Sequence, residues 1–241
     1  MSGAVNRAVL LVGGRGSRLA PFTATFPKPL MPLGNVPVLE VVLSSLIDAQ
    51  IKHVTLALGH LGELIQAYLL HRPHLLEQIE VDYVREDQPL GTAGALSLID
   101  SLDETFITMN GDLLTDADIG DLVRFHREQG AALTIATQTR QVNIDLGVIH
   151  TGPGSRVVGY SEKPTHNYTV SMGIYVYEPS VLQYIKPGKY LDFPELVQQL
   201  IDAGEHVAAY ESDCLWLDIG RPDDYARAQE IYRRRWDGES E

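Results

Sequence analysis

The sequence is poor in cysteine and in basic residues. Its single cysteine, Cys214, excludes an intrachain disulfide and a metal site built from a cysteine cluster. Lysine and arginine number 19 against 32 acidic residues, and the resulting net charge of −13 argues against general nucleic-acid binding, which needs a basic face. An acidic protein that binds phosphates must concentrate its few cations at the binding site.

Long apolar stretches are also absent. No run approaches the roughly 20 apolar residues that a membrane span needs. The first apolar run, residues 8–12, is short and ends in glycines, which is typical of a strand and not of a signal peptide. We therefore expect a cytoplasmic protein without a membrane or nucleic-acid partner.

Strand-like and helix-like segments alternate along the first part of the chain. Apolar runs at Val54–Leu58 and Ile79–Val84 follow helical apolar spacing at Val38–Gln50 and Leu61–Leu70. This alternation predicts βαβ units and a mainly parallel mixed sheet covered on both faces. With 241 residues and 44% hydrophobic residues, we expect one α/β domain, a Rossmann-like three-layer sandwich. Ligands of such sheets bind at the carboxyl ends of the strands.

One stretch, residues 8–34, combines features that favour a polyphosphate ligand. After the apolar run come closely spaced glycines, the cations Arg15 and Arg18, and then Lys28 between two prolines. Glycines after a strand allow backbone N–H groups to approach a polyanion, and arginine offers a forked donor to phosphate oxygens. The prolines give the lysine side chain a fixed point of departure. The stretch therefore indicates a nucleoside triphosphate site.

Two familiar glycine motifs do not fit this stretch. A Walker loop ends in Gly-Lys-Ser/Thr, whereas Arg18 follows Gly16 and Ser17 here, and a dinucleotide fingerprint needs glycine where Leu19 stands. The pattern G-G-x-G-[ST]-R-L followed by P-K-P instead resembles the sugar-1-phosphate nucleotidyltransferases, and the resemblance continues almost to the C-terminus. It implies a set of nucleotide-binding residues, of which the last two are also catalytic: Val12, Gly13, Gly14, Gly16, Ser17, Arg18 and Lys28.

A second segment of this resemblance, residues 88–96, follows the Ile79–Val84 strand. In the family it contacts the base, which implies base-binding roles for Gln88, Gly91 and Thr92, and a helix is expected over Ala93–Ile99. The letters Leu-Gly-Thr-Ala-Gly look most like mannose-1-phosphate guanylyltransferases, so guanine is the expected base. Small residues at 91, 93 and 94 are expected to leave a slot wide enough for a purine. Backbone carbonyls or the amide oxygen of Gln88 would accept hydrogen bonds from the N–H groups of guanine.

Two aspartates stand at the ends of strand-like runs. Asp112 follows the run Thr105–Met109, and Asp218 lies in the element from Trp216 to Tyr225 that matches the family pattern W-x-D-I-G-x-P-x-D-[YF]. The resemblance implies that both are catalytic and bind a divalent cation, for which we expect Mg²⁺ because it prefers oxygen ligands. Asp116, Asp118 and Asp121 predict caps or first-turn charges of a helix ending at Gln129. Asp223 is expected to cap a helix begun by Pro222.

The sugar 1-phosphate is expected on a third group of residues. The resemblance places Glu162 on sugar hydroxyls, gives Lys163 a catalytic contact with the sugar phosphate, and puts three further residues in the pocket: Gly147, Ser171 and Gly173. Leu146 replaces the usual aromatic residue, and Ser171 replaces the asparagine of many relatives. Serine offers fewer hydrogen bonds, so these departures affect the identity of the sugar.

The expected reaction transfers a nucleoside monophosphate from a triphosphate to a sugar 1-phosphate and releases pyrophosphate. The attacking oxygen of the sugar 1-phosphate is already anionic, so the reaction needs no general base. This agrees with the absence of a His-x-x-x-His grouping and of a serine-hydrolase motif from the sequence. GTP with a mannose- or heptose-type 1-phosphate is the expected pair. Thymidylyl or uridylyl transfer to glucose 1-phosphate, cytidylyl transfer to a phosphonate or amino-alcohol phosphate, and a catalytically silent regulatory subunit stay open.

The domain boundaries follow from the extent of the resemblance. Residues 1–232 are expected to form the catalytic domain and residues 233–241 a charged C-terminal tail. The small-molecule partners are the triphosphate and the sugar 1-phosphate, and assembly as a homo-oligomer stays open.

Overall fold

The computed structural model describes residues 5–236. The expected catalytic domain and C-terminal tail therefore each include residues outside this range, 1–4 and 237–241. The strands are β1 (Arg7–Leu11), β2 (Pro32–Leu33), β3 (Val36–Pro37), β4 (His53–Leu58), β5 (Glu80–Arg85), β6 (Phe106–Asn110), β7 (Leu113–Thr115), β8 (Leu133–Asn143), β9 (Val148–Thr151), β10 (Val157–Ser161), β11 (Thr165–Tyr177), β12 (Val207–Glu211) and β13 (Trp216–Asp218). The α-helices are α1 (Val38–Asp48), α2 (Gly62–Leu70), α3 (Pro73–Leu76), α4 (Gly91–Gly94), α5 (Ile119–Gln129), α6 (Phe193–Asp202) and α7 (Pro222–Arg235). No helix in the described range has the length and apolar character that a membrane crossing requires.

The main sheet has seven strands in the order β12-β8-β11-β6-β1-β4-β5. Strand β1 pairs in parallel with β4 and β6, while β11 runs antiparallel to both of its neighbours, β6 and β8. Strands β4 and β5, and β8 and β12, are also parallel pairs. The prediction of a mainly parallel mixed sheet is confirmed.

Successive residues of the central strands enter different cores. On β1, Ala8 and Leu10 belong to a core that includes Leu43 of α1 and Ile65 of α2, whereas Val9 belongs to a second core. This second core includes residues of α4 and α6. Because side chains of a strand alternate between its faces, the two cores lie on opposite faces of the sheet. The predicted three-layer arrangement is confirmed.

Strands β8 and β11 extend well beyond the main sheet. Their pairing runs from Tyr177↔Leu133 to Thr165↔Asn143, with an irregularity between Ser171 and Tyr175, while β12 pairs β8 only as far as Thr137 and β6 pairs β11 only from Ile174. We call the projecting part, residues 138–171, the arm. It carries the antiparallel hairpin of β9 and β10. The first half of β11 is mostly exposed and lacks the apolar pattern by which a strand is recognised in a sequence.

Three local predictions differ from the structure. The helix expected at Ala93–Ile99 is the short α4 followed by a 3₁₀ turn. In that turn the Ser97 hydroxyl donates to the Gly94 carbonyl at 2.7 Å and competes with regular helical hydrogen bonds. Asp118 does cap α5, but Asp116 accepts the Leu215 N–H at 2.7 Å and contacts Arg235 instead. Asp223 lies in the first turn of α7, whose N-cap residue is Arg221.

Candidate functional site

A cleft of about 640 Å³ opens at the carboxyl ends of β1, β4, β5 and β6. Asp112 lines this cleft. So does every residue expected to bind the nucleotide: Val12, Gly13, Gly14, Gly16, Ser17, Arg18, Lys28, Gln88, Gly91 and Thr92. The structure thus brings together two segments that are about 70 residues apart in sequence. The roles of these residues in binding and catalysis stay predictions.

The glycine-rich turn after β1 has a tight bend at Gly16. Its φ is +60°, and a Cβ there would lie 2.9 Å from the Thr23 side chain and 3.2 Å from Lys28 Cβ. The Thr23 hydroxyl donates to the Gly16 carbonyl at 2.7 Å and fixes the bend. Glycine at this position therefore brings the turn close to Lys28, so the backbone amides and the cation face the same cleft.

Lys28 is held in place from both sides of its segment. A 3₁₀ turn over Lys28–Leu30 follows Pro27, with the Met31 N–H donating to the Lys28 carbonyl at 3.0 Å. Further along, the Pro32 carbonyl accepts from the Tyr225 hydroxyl at 2.7 Å and from Gln229 Nε2 at 3.2 Å, both on α7. The C-terminal helix thereby fixes the backbone that carries Lys28.

The Lys28 ammonium lies between the two predicted metal ligands. It contacts Asp112 Oδ2, and Asp218 Oδ1 is 3.7 Å from Nζ. Strands β7 and β13 produce this arrangement, since Asp218 pairs with Leu113 and the Ile219 N–H donates to the Asp112 carbonyl at 3.1 Å. Burial and the neighbouring Asp112 carboxylate raise the pKa of Asp218, and the nearby cations Lys28 and Arg18 oppose this shift.

The carboxylate pair fits a divalent cation. Asp112 Oδ1 is buried and has no hydrogen-bond partner among the described residues. A buried acceptor without a donor is costly, and a hard cation satisfies it. No cluster of three or more His, Cys, Asp or Glu side chains suited to a metal occurs between residues 5 and 236. A Mg²⁺ ion here would therefore take two carboxylates from the protein and the rest of its oxygen ligands from substrates and water.

The segment expected to bind the base, residues 88–94, is called here the base loop. The small residues of this loop are required by packing inside the protein and not by the space that a base needs. A Cβ on Gly91 would lie 2.6 Å from the Leu191 carbonyl oxygen, a Cβ on Gly94 would lie 2.7 Å from that of Lys189, and Ala93 is fully buried in the core beside α6. The small residues make room for the chain at 189–192, so the explanation that they widen a slot for a purine is wrong.

Glu86 is a cleft residue that the sequence analysis does not identify. It lies one residue beyond β5, is half-buried, and accepts the Leu90 N–H of the base loop at 2.8 Å. Burial raises the pKa of its carboxyl group, and the Leu90 N–H opposes the shift. Gln88, the expected base contact, is exposed. An acidic residue just beyond a parallel strand is the signal that identified Asp112, and the same signal was present at Glu86.

The residues expected to bind the sugar phosphate do not line the cleft. Gly173 is nearest, because a Cβ on it would lie 2.5 Å from the Asn110 amide nitrogen, and Asn110 lines the cleft. Ser171 lies close by, with its hydroxyl donating to the Tyr175 hydroxyl at 3.1 Å and accepting the Gly173 N–H at 3.3 Å.

Ser171 is the last residue of the arm, and the other three expected sugar residues lie on the arm as well. Gly147 packs directly against the Tyr160 hydroxyl, which donates to Glu162 at 2.8 Å. Lys163 is exposed and adopts a φ of +44°, a conformation that non-glycine residues rarely take. The residues expected to bind the nucleotide thus lie together at the cleft, whereas all of the residues expected to bind the sugar phosphate except Gly173 lie on the arm.

Comparison with known proteins agrees with these features. A sequence model described as Nucleotidyl transferase matches residues 7–235. The chain is 33% identical over 240 residues to a UTP–glucose-1-phosphate uridylyltransferase of Synechocystis, covering 92% of this chain and 62% of that protein. It is 34% identical over 229 residues to a mannose-1-phosphate guanylyltransferase of Mycobacterium tuberculosis, covering 91% and 62%. This chain therefore spans less than two thirds of the length of these relatives.

A solved structure shows the same fold. HddC from Yersinia pseudotuberculosis, complexed with GMP-PN, superposes with a TM-score of 0.72 at 22% identity and covers 95% of this chain and 100% of that one. At this level of identity the likeness concerns the fold alone.

Proposed function

The chain belongs to the nucleotidyl transferase family, and from this premise we propose that it transfers a nucleoside monophosphate from a nucleoside triphosphate to a sugar 1-phosphate, releasing pyrophosphate. The observation that carries the proposal is the position of Lys28 between Asp112 and Asp218 at a cleft lined by a glycine-rich turn. Both matched relatives are named for such a reaction, one with uridylyl and one with guanylyl transfer.

The proposed mechanism is positioning and charge stabilisation. The oxygen of a sugar phosphate is already anionic, so its attack on the α-phosphate needs no general base. Arg18 and the glycine-rich turn line the cleft, and in this mechanism Arg18 and the backbone amides hold the triphosphate. The role proposed for Lys28 is to stabilise the charge that develops on the α-phosphate. Lys163 on the arm binds the incoming phosphate. Each of these groups brings a positive charge or an N–H dipole to a site that must hold two polyanions.

Asp112 and Asp218 are proposed to hold Mg²⁺ in this reaction. The buried, unpartnered Asp112 Oδ1 and the second carboxylate on β13 supply the hard oxygen ligands that this ion prefers. When bound, Mg²⁺ supplies positive charge that neutralises the phosphates. Lys28 contacts Asp112 Oδ2 and offsets part of the negative charge of the two carboxylates.

Guanine is the proposed base, and Glu86 supports it. Guanine presents N1–H and an N2 amine as adjacent donors, which require acceptors. Glu86 is an acceptor-only group when ionised, and after binding the Leu90 N–H it keeps lone pairs for further donors. Uracil, favoured by the uridylyltransferase relative, presents a single N3–H to such a group. A carboxylate beside the base loop therefore matches guanine better.

The test is competition among GTP, dTTP, UTP, CTP and ATP at equal concentration, with mannose 1-phosphate or glucose 1-phosphate and Mg²⁺. We expect GTP to give most of the nucleotide sugar, with pyrophosphate released in equal amount. Glu86→Gln should lower kcat/KM for GTP by about tenfold, the loss of a hydrogen bond to a charged group, and should affect UTP less. The exposed Glu104→Gln is the matched control. A preference for a pyrimidine triphosphate contradicts guanine, and no product with any pair contradicts the proposed reaction.

A further inference from the structure

We propose that Asp192 is a positioning residue that holds the base loop in its nucleoside-binding conformation, through caps that the loop and helix α6 exchange. The inference rests on the proposed nucleotide site and extends it to a segment about 100 residues away in sequence. Asp192 lines the cleft, yet it directly precedes α6, and nothing in its own neighbourhood of the sequence connects it with a nucleotide.

Two side chains each cap the other's helix. The Thr92 N–H, in the first turn of α4, donates to Asp192 Oδ1 at 3.3 Å, and the Phe193 N–H, the first of α6, donates to the Thr92 hydroxyl at 2.8 Å. Helix N-termini leave such N–H groups without partners inside the helix. Asp192 makes no side-chain cap to α6 itself, so its carboxylate is used for the base loop.

Backbone hydrogen bonds align the same two segments. The Leu191 N–H donates to the Leu90 carbonyl at 2.8 Å, and the Leu191 carbonyl accepts from Ala93 and Gly94 at 3.0 and 2.9 Å. A Cβ on Gly91, where φ is +77°, would lie 2.8 Å from Asp192 Oδ1. Only glycine allows the loop to approach the carboxylate this closely, so the loop is shaped to fit Asp192.

The second carboxylate oxygen is also engaged within the protein. Asp192 Oδ2 accepts from the Tyr190 hydroxyl at 2.5 Å. A carboxylate at the rim of a cleft for a triphosphate repels the ligand, so a direct contact with the phosphates is unfavourable. Near the N-termini of α4 and α6, however, its charge is stabilised. Both of its oxygens bind protein donors, which is the arrangement expected of a positioning residue.

Helix α6 gives this anchor a rigid support. Leu196 and Leu200 of α6 are fully buried in the core that also contains Ala93 of the base loop. The Asp192 carboxylate therefore fixes the base loop, which lies at the cleft, to a helix that is held in the core. Without it, the Thr92 N–H loses its partner and the loop must be ordered by the nucleoside at the moment of binding, which weakens binding.

The test measures dissociation constants of the full chain, with Mg²⁺ and without sugar phosphate, for GTP and for inorganic tripolyphosphate. Tripolyphosphate reaches the glycine-rich turn and Lys28 but has no base or ribose. We expect Asp192→Ala to weaken GTP binding about fivefold, the effect of losing one helix cap, and to leave tripolyphosphate binding unchanged. Asp192→Asn keeps an acceptor oxygen and should recover most of the loss. Asp202→Ala is the control, since this carboxylate at the other end of α6 binds only Gln198 in the described contacts.

A double-mutant cycle shows whether Thr92 and Asp192 act together by capping each other's helices or affect GTP binding independently. Thr92→Val and Asp192→Ala should weaken GTP binding non-additively, because each breaks part of the same contact. Equal weakening of GTP and tripolyphosphate, or GTP binding by Asp192→Ala as tight as that of the wild type, overturns the inference. If the wild type binds UTP more tightly than GTP, guanine is wrong and the same comparison is made with UTP. If it binds no triphosphate, the proposed function and this inference both fail.

Discussion

Lys28, Asp112 and Asp218 form the smallest unit on which the proposed chemistry depends. One cation is placed against two carboxylates, and one oxygen of Asp112 keeps no hydrogen-bond partner within residues 5–236. Removing one member of such a group leaves the others with uncompensated charge. The three residues should therefore respond to substitution as a unit in their effect on catalysis.

Asp112→Asn keeps the shape of the side chain and removes its charge. We expect pyrophosphate release to fall about 100-fold at limiting Mg²⁺, the scale of losing one electrostatic contact in a transition state, while the far-UV circular dichroism spectrum is unchanged. The measurement is initial rate against Mg²⁺ concentration, with Asp218→Asn as the parallel variant and the exposed Asp103→Asn as control. Full activity of Asp112→Asn at limiting Mg²⁺ contradicts the assignment of this aspartate.

At the scale of elements, α5 is attached to the sheet by a buried histidine. His126 is almost fully buried, and its Nδ1 lies 2.8 Å from the Thr134 hydroxyl on β8. Its Nε2 lies 3.1 Å from Glu178 Oε1, which also accepts from the Thr105 hydroxyl. Burial lowers the pKa of His126 from 6.5, and the Glu178 carboxylate opposes this shift. Protonation must therefore work against the packing of α5.

The resulting pH dependence has a definite sign. A histidine with a lowered folded-state pKa stabilises the fold fully above its unfolded pKa of 6.5, and this contribution is lost as the pH falls through the lower folded-state value. We expect the free energy of unfolding of the wild type to decrease as the pH is lowered from 7 to 5. His126→Gln should lose less over the same interval, and the exposed His166→Gln should follow the wild type. Urea unfolding at each pH measures the difference, and parallel curves for the wild type and His126→Gln count against this role.

At the scale of the whole molecule, the cleft and the arm divide the proposed reaction between them. Lys28 lies in the cleft at the edge of the sheet, whereas Lys163 is exposed on the arm. A chain that binds two polyanions reduces their repulsion when separate elements hold them. The two lysines should accordingly have different kinetic signatures.

Lys28→Ala should lower kcat about 100-fold with a smaller change in either KM, because its proposed contact forms where charge develops. Lys163→Ala should raise the KM for the sugar 1-phosphate about tenfold and leave the KM for the triphosphate nearly unchanged, since it loses a charged hydrogen bond to one substrate only. Steady-state kinetics with each substrate varied in turn measures both effects, with the exposed Lys186→Ala as control. A change confined to the KM of the triphosphate in Lys163→Ala means that the two substrate sites are misassigned.

The sequence by itself determined the parts that depend on local pattern. Apolar runs and helical spacing predicted the parallel strands and their helices, since burial on both faces of the sheet requires them. The glycine-rich turn and Asp112 follow strand-like runs, which places them at the carboxyl ends of strands. The metal-binding roles of Asp112 and Asp218 come from the family resemblance and stay predictions. The roles predicted for Asp116 and Asp223 at helix starts were wrong. A carboxylate near the start of a helix has the same local sequence pattern whether it caps that helix, lies in its first turn or binds elsewhere.

Only the tertiary structure decided which segments meet. From the sequence, Gly91 and Gly94 were expected to leave a slot for a base. In the structure these positions are small because residues 189–192 pack against them. Asp192 and Thr92 are 100 residues apart, and no local signal links them until the sheet and α6 bring them within 3.3 Å. The separation of the arm from the cleft likewise depends on where β6 and β12 stop pairing with β11 and β8. Such contacts follow from chain topology, which a local pattern does not contain.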